Sequence, residues 1–398
     1  MLVGNGFDIS ILNHFNMSIK TDYNSFFHYL NLINFDTENI LYKQMDILRQ
    51  HHESELRDGK DGFPDWSDFE SRLQEHIPKT QLSESNELSE YNQLREHLAE
   101  IQQKFSKFLT SAIDSRLLYN LDQSAQKFHW AYSSFARFLA DLDENDYELM
   151  SFPRNVNHHH LFYFNIINFN YTPLLDSYLH LDQKQFDPHV HKTVDTNFLF
   201  RRNPRNFPKQ HRADNYPNAE TGCSAYLSTE IHHPHGTQSI SRSLLFGIDG
   251  TDEIASDGSS RRLEKNFWAQ THRRYYKMIK ETELFIIFGS STGETDRWWW
   301  RHILKSVFDG AELIIYKYFH SKYDAKSADP RKIKENFFVS NYDDGLFEGQ
   351  DKIDSKKKCL DRIHIVRYSD PKTISAFGFS DIPYDPTNRD PRSIPNVR

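Results

Sequence analysis

Five short polar blocks in this chain combine residue types that can hold or process a small polar ligand. Gly4-Asn5-Gly6-Phe7-Asp8 has two glycines, which let a backbone approach a phosphate or ribose closely and tolerate positive φ. If a helix starts after Asp8, its first amides face an anion. In Asn168-Phe169-Asn170-Tyr171-Thr172 the two asparagines alternate, so both amides lie on one side of a strand end, where they can hold a ribose hydroxyl or a water. His233-Pro234-His235-Gly236-Thr237 places an imidazole before a glycine, where it can meet a ligand, stay neutral near pH 7 and serve as a general base. Gly247-Ile248-Asp249-Gly250 closes another apolar run. Gly289-Ser290-Ser291-Thr292-Gly293-Glu294-Thr295-Asp296 joins glycines and hydroxyls into a backbone nest for phosphate or ribose, with Asp296 placed to cap a following helix. The plainer readings are a tight turn, an asparagine turn cap, a hydrogen-bonded structural histidine and an ordinary helix cap.

These blocks share a position. Each stands at the end of a candidate strand: Met1 to Val3, Leu161 to Asn168, Thr229 to His233, Ser243 to Ile248 and Leu284 to Phe288, most of them short apolar runs. Such runs read as strands buried on both faces of a parallel sheet. Leu313 to Tyr316 and Ile363 to Val366 are two more. Helices are expected after them, from Pro173 to about Leu181, from about Arg261 to Glu281 and from Thr295-Asp296 onward. The expected fold is α/β, a Rossmann-like, mostly parallel sheet flanked by helices, with a large helical insertion after the first strand. Within that insertion Thr21 is placed to cap a helix holding Phe26, Phe27, Tyr29 and Leu30. A second helix is expected around Trp66, Phe69 and Leu73. The run from Ser85 to Tyr119 carries Leu94, Leu98, Ile101, Phe105 and Leu109 at helical spacing. The expected division is residues 1–20 and 150–370 for the nucleotide-binding domain, 21–149 for the insertion and 371–398 for an irregular tail. Residues 182 to 225 read as a long loop or lid, and the Lys-rich stretch between the last two strands as surface. Trp298-Trp299-Trp300 reads as packing, because helical spacing turns the three rings in different directions. In open parallel sheets ligands bind beyond the carboxyl ends of the strands, where all five blocks fall.

Composition narrows the chemistry. The net charge of −8 argues against broad duplex nucleic-acid binding, which needs Lys and Arg against phosphates. Cys223 and Cys359, the only two cysteines, cannot form a disulfide framework or a four-cysteine zinc site, which suggests a reducing compartment. There is no signal-peptide pattern and no apolar run long enough to cross a bilayer, so a cytoplasmic protein without membrane association is expected. With 31 Phe and 20 Tyr, the core should be rich in aromatic rings.

The series of blocks resembles the bacterial abortive-infection family AbiH. The pieces that carry the resemblance are Gly4-Asn5-Gly6-Phe7-Asp8, Thr21-Asp22-Tyr23 with Phe26 and Leu30, Trp66-Ser67-Asp68-Phe69-Glu70, Asn168-Phe169-Asn170-Tyr171-Thr172, His235-Gly236, Phe246-Gly247-Ile248-Asp249 and Gly289 through Asp296. They occur in family order and span most of the chain. The chain departs from the family in a shorter first strand and in Ser290, where the family often has His. A more distant likeness is to the sirtuin-like NAD-binding domains of bacterial phage defence. It implies Asn170 as the residue that binds ribose and water, His235 as the catalytic histidine, and Gly289 and Ser290 as a turn contacting the adenine-side ribose. The four-cysteine zinc module of sirtuin deacylases has no counterpart here, which leaves hydrolytic removal of nicotinamide rather than deacylation.

Three readings follow. In the first, NAD or a related nucleotide loses its base by hydrolysis, to shut down an infected cell. Asn170 positions the ribose, His235 acts as base, the Gly4/Gly6 turn accepts phosphates and Asp8 holds a ribose hydroxyl or orients a partner. Asn5, Phe7, Asn168, Tyr171, Gly236, Gly247, Asp249, Ser291, Glu294 and Asp296 complete the expected ligand shell, without a metal. In the second, a module binds the nucleotide without cleaving it and relays occupancy to a partner, either another copy of the chain or a second defence protein. In the third, His189, His191, His232, His233 and His235 with Asp249 gather a metal for a nuclease, although their spacing matches no defined metal motif. His158-His159-His160 reads as a solvated loop.

Overall fold

The first strand, β1 (Leu2–Val3), is two residues long and still occupies the middle of a seven-stranded sheet. The fold is seen in a computed structural model describing residues 1–57, 70, 84–181, 196–205, 207, 222–245, 265–293 and 296–384. The other strands are β2 (Leu161–Asn168), β3 (Phe198–Phe200), β4 (Cys223–His232), β5 (Leu284–Phe288), β6 (Glu312–Tyr318) and β7 (Ile363–Tyr368), in the order β3-β4-β2-β1-β5-β6-β7. Every neighbouring pair is parallel except β3 with β4. Counted along the chain, the six parallel strands run 3-2-1-4-5-6, the doubly wound dinucleotide-fold order, whose direction reverses between β1 and β5.

The continuous apolar strands are explained by burial on both faces. Val3, Ile166, Ile286, Phe288, Ile314 and Val366 face one core, and Leu2, Ile167, Phe285, Ile287, Leu313 and Ile365 face the other. The first core is covered by α1 (Gly6–His14), by α5 (Ser115–Phe128) and α6 (Trp130–Arg137), and by α9 (Leu174–Leu179). The irregular segment from Ile374 to Phe379 closes it. The second is covered by α11 (Thr271–Glu281) and α12 (Arg297–Asp309), and by α14 (Pro330–Asn341) and α15 (Lys352–Leu360). Trp298, Trp299 and Trp300 are all buried in this second core.

A third cluster joins α2 (Tyr23–Leu32), α3 (Ile40–Arg57) and α4 (Glu84–Ala112) through Phe26, Phe27, Met45, Phe105 and Phe108, and includes Leu244 from the far side of the chain. The short helices α7 (Glu144–Leu149) and α8 (Phe152–Asn155) lead into β2. Two others, α10 (Lys265–Ala269) and α13 (Lys322–Ser327), precede α11 and α14.

Several boundaries differ from expectation, each for a local reason. Asp22, not Thr21, caps α2, accepting from Ser25 N at 2.7 Å. The run from Ser85 to Tyr119 is two helices, because Asp114 stops α4 and caps α5 through Leu117 N. The expected helix from Arg261 breaks at Gln270, whose φ is 50°. The stretch 182–225 is not all loop, since β3 lies within it and pairs with the start of β4. The described part of the expected strand Ser243 to Ile248 follows a 3-10 turn, Ser241–Ser243. The Lys-rich stretch after β6 forms amphipathic helices that bury Phe337, Phe338 and Cys359. The expected helix around Trp66, Phe69 and Leu73 and the tail beyond residue 384 lie outside the described residues.

Phe7 shows how the first helix is held. Its ring is fully buried, edge-on to Tyr178 at 5.2 Å and against Phe288 and Phe377. Phe7→Ala is expected to cost about 3–5 kcal/mol of folding stability, read from the urea midpoint.

Candidate functional site

At the reversal point two loops press together. Gly4 N donates to Phe288 O at 2.9 Å, and Gly6 N donates to Gly289 O at 2.8 Å. A Cβ on Gly4 would stand 2.7 Å from Gly289 O, and one on Gly6 would stand 2.8 Å from Gly289 Cα. Gly289 itself has φ of 64° and no room for a Cβ beside Phe7 N. The glycines are therefore required by backbone meeting backbone. This corrects the expected phosphate turn: the amides of Gly4, Gly6 and Phe7 all donate within the protein, the last to Gly4 O at 3.0 Å. The helix begins at Gly6, ahead of Asp8. The Asn5 side chain is tied down as well, giving a hydrogen bond to Thr21 O and accepting one from Thr21 Oγ1 at 2.8 Å. Phe7 faces the core.

Beyond β2 the chain sends side chains to two flanks. On the flank of α1 and α9, Asp8 is fully buried and its Oδ2 accepts from Thr172 Oγ1 at 2.6 Å. Burial raises the Asp8 carboxyl to about 7, against the opposing pull of the Thr172 hydrogen bond. Asn168 donates to Asp176 Oδ2 at 3.3 Å and accepts from Asn170 N at 3.0 Å. Asp176 Oδ1 lies 2.9 Å from His233 Nε2. Among the described residues, Asp8 Oδ1, both side-chain heteroatoms of Asn170 and His233 Nδ1 are buried with no hydrogen-bond partner. Asn170 is 3% exposed.

The other flank, towards α11 and α12, is satisfied. His235 Nε2 lies 3.2 Å from Asp296 Oδ1, and the same oxygen lies 3.2 Å from Lys265 Nζ. Lys265 also donates to Glu70 Oε2 at 2.9 Å. Burial pushes the Asp296 carboxyl up, but Lys265 and His235 together hold it well below the usual range. Burial raises Glu70, with Lys265 opposing. Lys265 stays charged because its two carboxylates outweigh its burial. The His235 ring is 5.1 Å from Phe169 and 6.4 Å from Tyr171, whose hydroxyl donates to Leu245 O. Gly236 has φ of 88° and lies against Ser243 O, and Leu245 N donates to His235 O, so the loop folds back on its histidine. Asp296 makes no cap hydrogen bond to α12, because its carboxylate is committed to Lys265 and His235. Ser290 lies beside Gly4 and accepts from Thr292 N, and Ser291 is exposed.

The structure thus seats the Gly4–Gly6 and Gly289 turns together and places Asp8, Asn168, Asn170 and His235 at the same sheet end. Asn168 and Phe169 alternate at the end of β2, Asn168 reaching Asp176 on one flank and Phe169 packing against the His235 ring on the other. Gly247, Asp249 and Glu294, like His189 and His191, lie outside the described residues. Sequence reading missed Glu70, Lys265, Asp176 and Thr172 as site members, and named His233 only as a metal ligand. Thr172 and His233 stand inside quoted blocks and could have been found there. Lys265 has no local signal, since its partners come from positions 70 and 296. Among the described residues no three His, Cys, Asp or Glu gather as a metal would need, and no helix is long and apolar enough to cross a membrane. Cys223 and Cys359 are buried free thiols.

Residues 1–317 match the family model for bacteriophage abortive infection AbiH. The chain belongs to the AbiH family. Its role is therefore in abortive-infection defence against phage. No curated protein and no solved structure matches this AbiH chain, and the sirtuin-like likeness gains no support from the comparisons.

Two outcomes follow for this AbiH protein. Lys265→Met strands the buried Glu70 carboxylate and leaves the partly exposed Asp296 with His235 alone, and is expected to cost about 3–5 kcal/mol, read by chemical denaturation. Asp8 binds its proton more tightly folded than unfolded, so its contribution is full at acid pH and is lost as pH rises towards 7. Between about pH 5 and about pH 8 the wild type should lose about 2–3 kcal/mol that Asp8→Asn does not, measured as the difference of their urea midpoints.

Proposed function

We propose that the polar residues at the carboxyl ends of β1, β2, β4 and β5 form a cleft that binds a nucleotide and hydrolyses its N-glycosidic bond, with NAD as the substrate, and that this is how the AbiH chain acts in defence. The observation that carries the reading is Asn170, whose whole side-chain amide is buried at the reversal point of a dinucleotide-type sheet with no partner among the described residues. Leaving such groups unpaired costs about 1–3 kcal/mol each, so the site is built for a polar ligand to complete. Asp8 Oδ1 adds an acceptor suited to a ribose hydroxyl.

In this reading Asn170 holds the ribose and the attacking water. The glycosidic bond breaks with its electron pair going to the cationic nicotinamide ring, which needs no strong acid, through an oxocarbenium-like transition state. His235 is oriented by Asp296 as a base is oriented in a histidine–carboxylate pair, and it holds the proton of a ribose hydroxyl while charge develops on the sugar. The glycine seam supplies the shape of the cleft rather than free amides.

A second reading, binding without cleavage, is favoured by the contacts of α4 on the loop after His235. Gln102 donates to Leu244 O, and Ser106 donates to Gln238 O at 2.8 Å. These contacts couple the helical insertion to the loop and could report occupancy. Nicotinamide release from NAD by the purified full chain separates the two readings. Hydrolysis predicts turnover that drops by about 100-fold or more in His235→Ala and in Asn170→Ala. Tight binding of intact NAD with no release under any trigger would establish the sensing reading instead.

A further inference from the structure

The two imidazoles at this sheet end stand in different surroundings. The side chain of His235 is 7% exposed, and its carboxylate partner is itself held by Lys265. The side chain of His233 is 21% exposed and that of Asp176 is 38% exposed. The Asp176 carboxylate is fixed on both oxygens, by His233 Nε2 at 2.9 Å and Asn168 Nδ2 at 3.3 Å. With Nε2–H donating to Asp176, the lone pair of the neutral ring sits on Nδ1. That atom is buried and makes no hydrogen bond among the described residues. The pair therefore has a vacant acceptor turned inward and a carboxylate reaching water. The flank it occupies also holds the unpartnered Asp8 Oδ1.

We propose that His233 and Asp176 form the proton outlet of this cleft, distinct from His235: Nδ1 takes the proton of the attacking water, and the Nε2 proton leaves through Asp176 to solvent. The inference rests on the hydrolytic reading and assigns its remaining proton. Hydrolysis of NAD joins a water oxygen to the ribose carbon as the bond to nicotinamide breaks, and it yields ADP-ribose, nicotinamide and one proton. The proton that His235 holds from a ribose hydroxyl returns to that oxygen when the sugar charge is quenched. The water proton is the net product and needs a path out. His235 offers a less open path, since its partner Asp296 is 22% exposed against 38% for Asp176 and shares the bonded oxygen with the Lys265 ammonium. Among the described residues, the charged groups tied to His233 are Asp176 on α9 at 2.9 Å and His232 on β4; Asp8 on α1 interacts with Asp176, and Glu230 lies 3.9 Å from His232. Asp176 is the nearest and sets the direction of transfer.

The test uses the full chain with its histidines labelled with ¹⁵N. In the wild type, neutral His233 is expected as the Nε2–H tautomer, and Asp176→Asn is expected to move its ring nitrogen resonances by replacing the carboxylate that accepts at 2.9 Å. With NAD, His233→Gln is expected to lower the rate of nicotinamide release about 100-fold while the Kd for NAD stays within about threefold, and Asp176→Asn about tenfold. A proton on Nδ1 in the neutral ring, ring nitrogen resonances unchanged in Asp176→Asn, or turnover by His233→Gln within twofold of wild type would overturn the proposal. Absence of turnover in the wild type would instead retire the hydrolytic reading. The nitrogen shifts would still decide whether the pair has the required tautomer and coupling.

Discussion

The site depends on backbone touching backbone at the β1–β5 seam. A strand of two residues cannot hold its place by its own ladder, so β1 is fixed by β2 on one side and β5 on the other. Beyond it the Gly4–Gly6 and Gly289 turns approach to where no Cβ fits. That contact sets where α1 begins, and α1 in turn carries Phe7 into the core and Asp8 under Thr172. Widening the seam by one methyl would move both. The glycines of a dinucleotide fold can serve a ligand or the fold itself, and here their amides are spent on the fold.

With the seam fixed, the end of β2 becomes a divide between two electrostatic regimes. On the α12 flank one lysine bridges two carboxylates, one of which orients His235. A buried ionic cluster of this kind contributes little net stability against an apolar alternative, but losing one member strands the rest, so it holds geometry firmly. On the α1 flank, Asp8, Asn170 and His233 keep polar atoms buried and without a partner among the described residues, and burial raises the Asp8 carboxyl into the neutral range. A protein tolerates that cost where a ligand or water completes the set. The stiff flank fixes geometry, and the unfinished flank is the one left for a ligand or water to complete.

The sheet was legible in the sequence because strands such as Leu284–Phe288 are apolar at every position, a pattern only burial on both faces explains. The positions of Asp8, Asn170 and His235 at strand ends were legible for the same reason. What each of them touches was not. Asp296 looks like a helix cap because Asp before a helix usually is one. Its real partners, His235 and Lys265, are neighbours only after the sheet has formed. β3 escaped notice because three apolar residues in a polar stretch carry too little periodicity. The break at Gln270 escaped because its left-handed backbone leaves no mark in residue type. Local pattern reports elements and their ends, whereas long-range pairing decides which polar group is spent and which is left open.

The helical insertion belongs to the same argument. Glu70, in the Trp66–Glu70 block, reaches the Lys265–Asp296 pair. Phe105 packs edge-on to Tyr171 at 5.3 Å, and Gln102 and Ser106 hold the loop whose Leu245 N closes on His235 O. Leu244 from that loop is buried in the core of the insertion. The insertion is therefore bonded to the histidine loop at several points, with apolar packing between them. Rotation of α4 without a response at Tyr171 and Leu245 would break these contacts together. A defence protein that must stay silent until infection needs its site coupled to something outside the sheet, and α4 is the element this fold has placed against it.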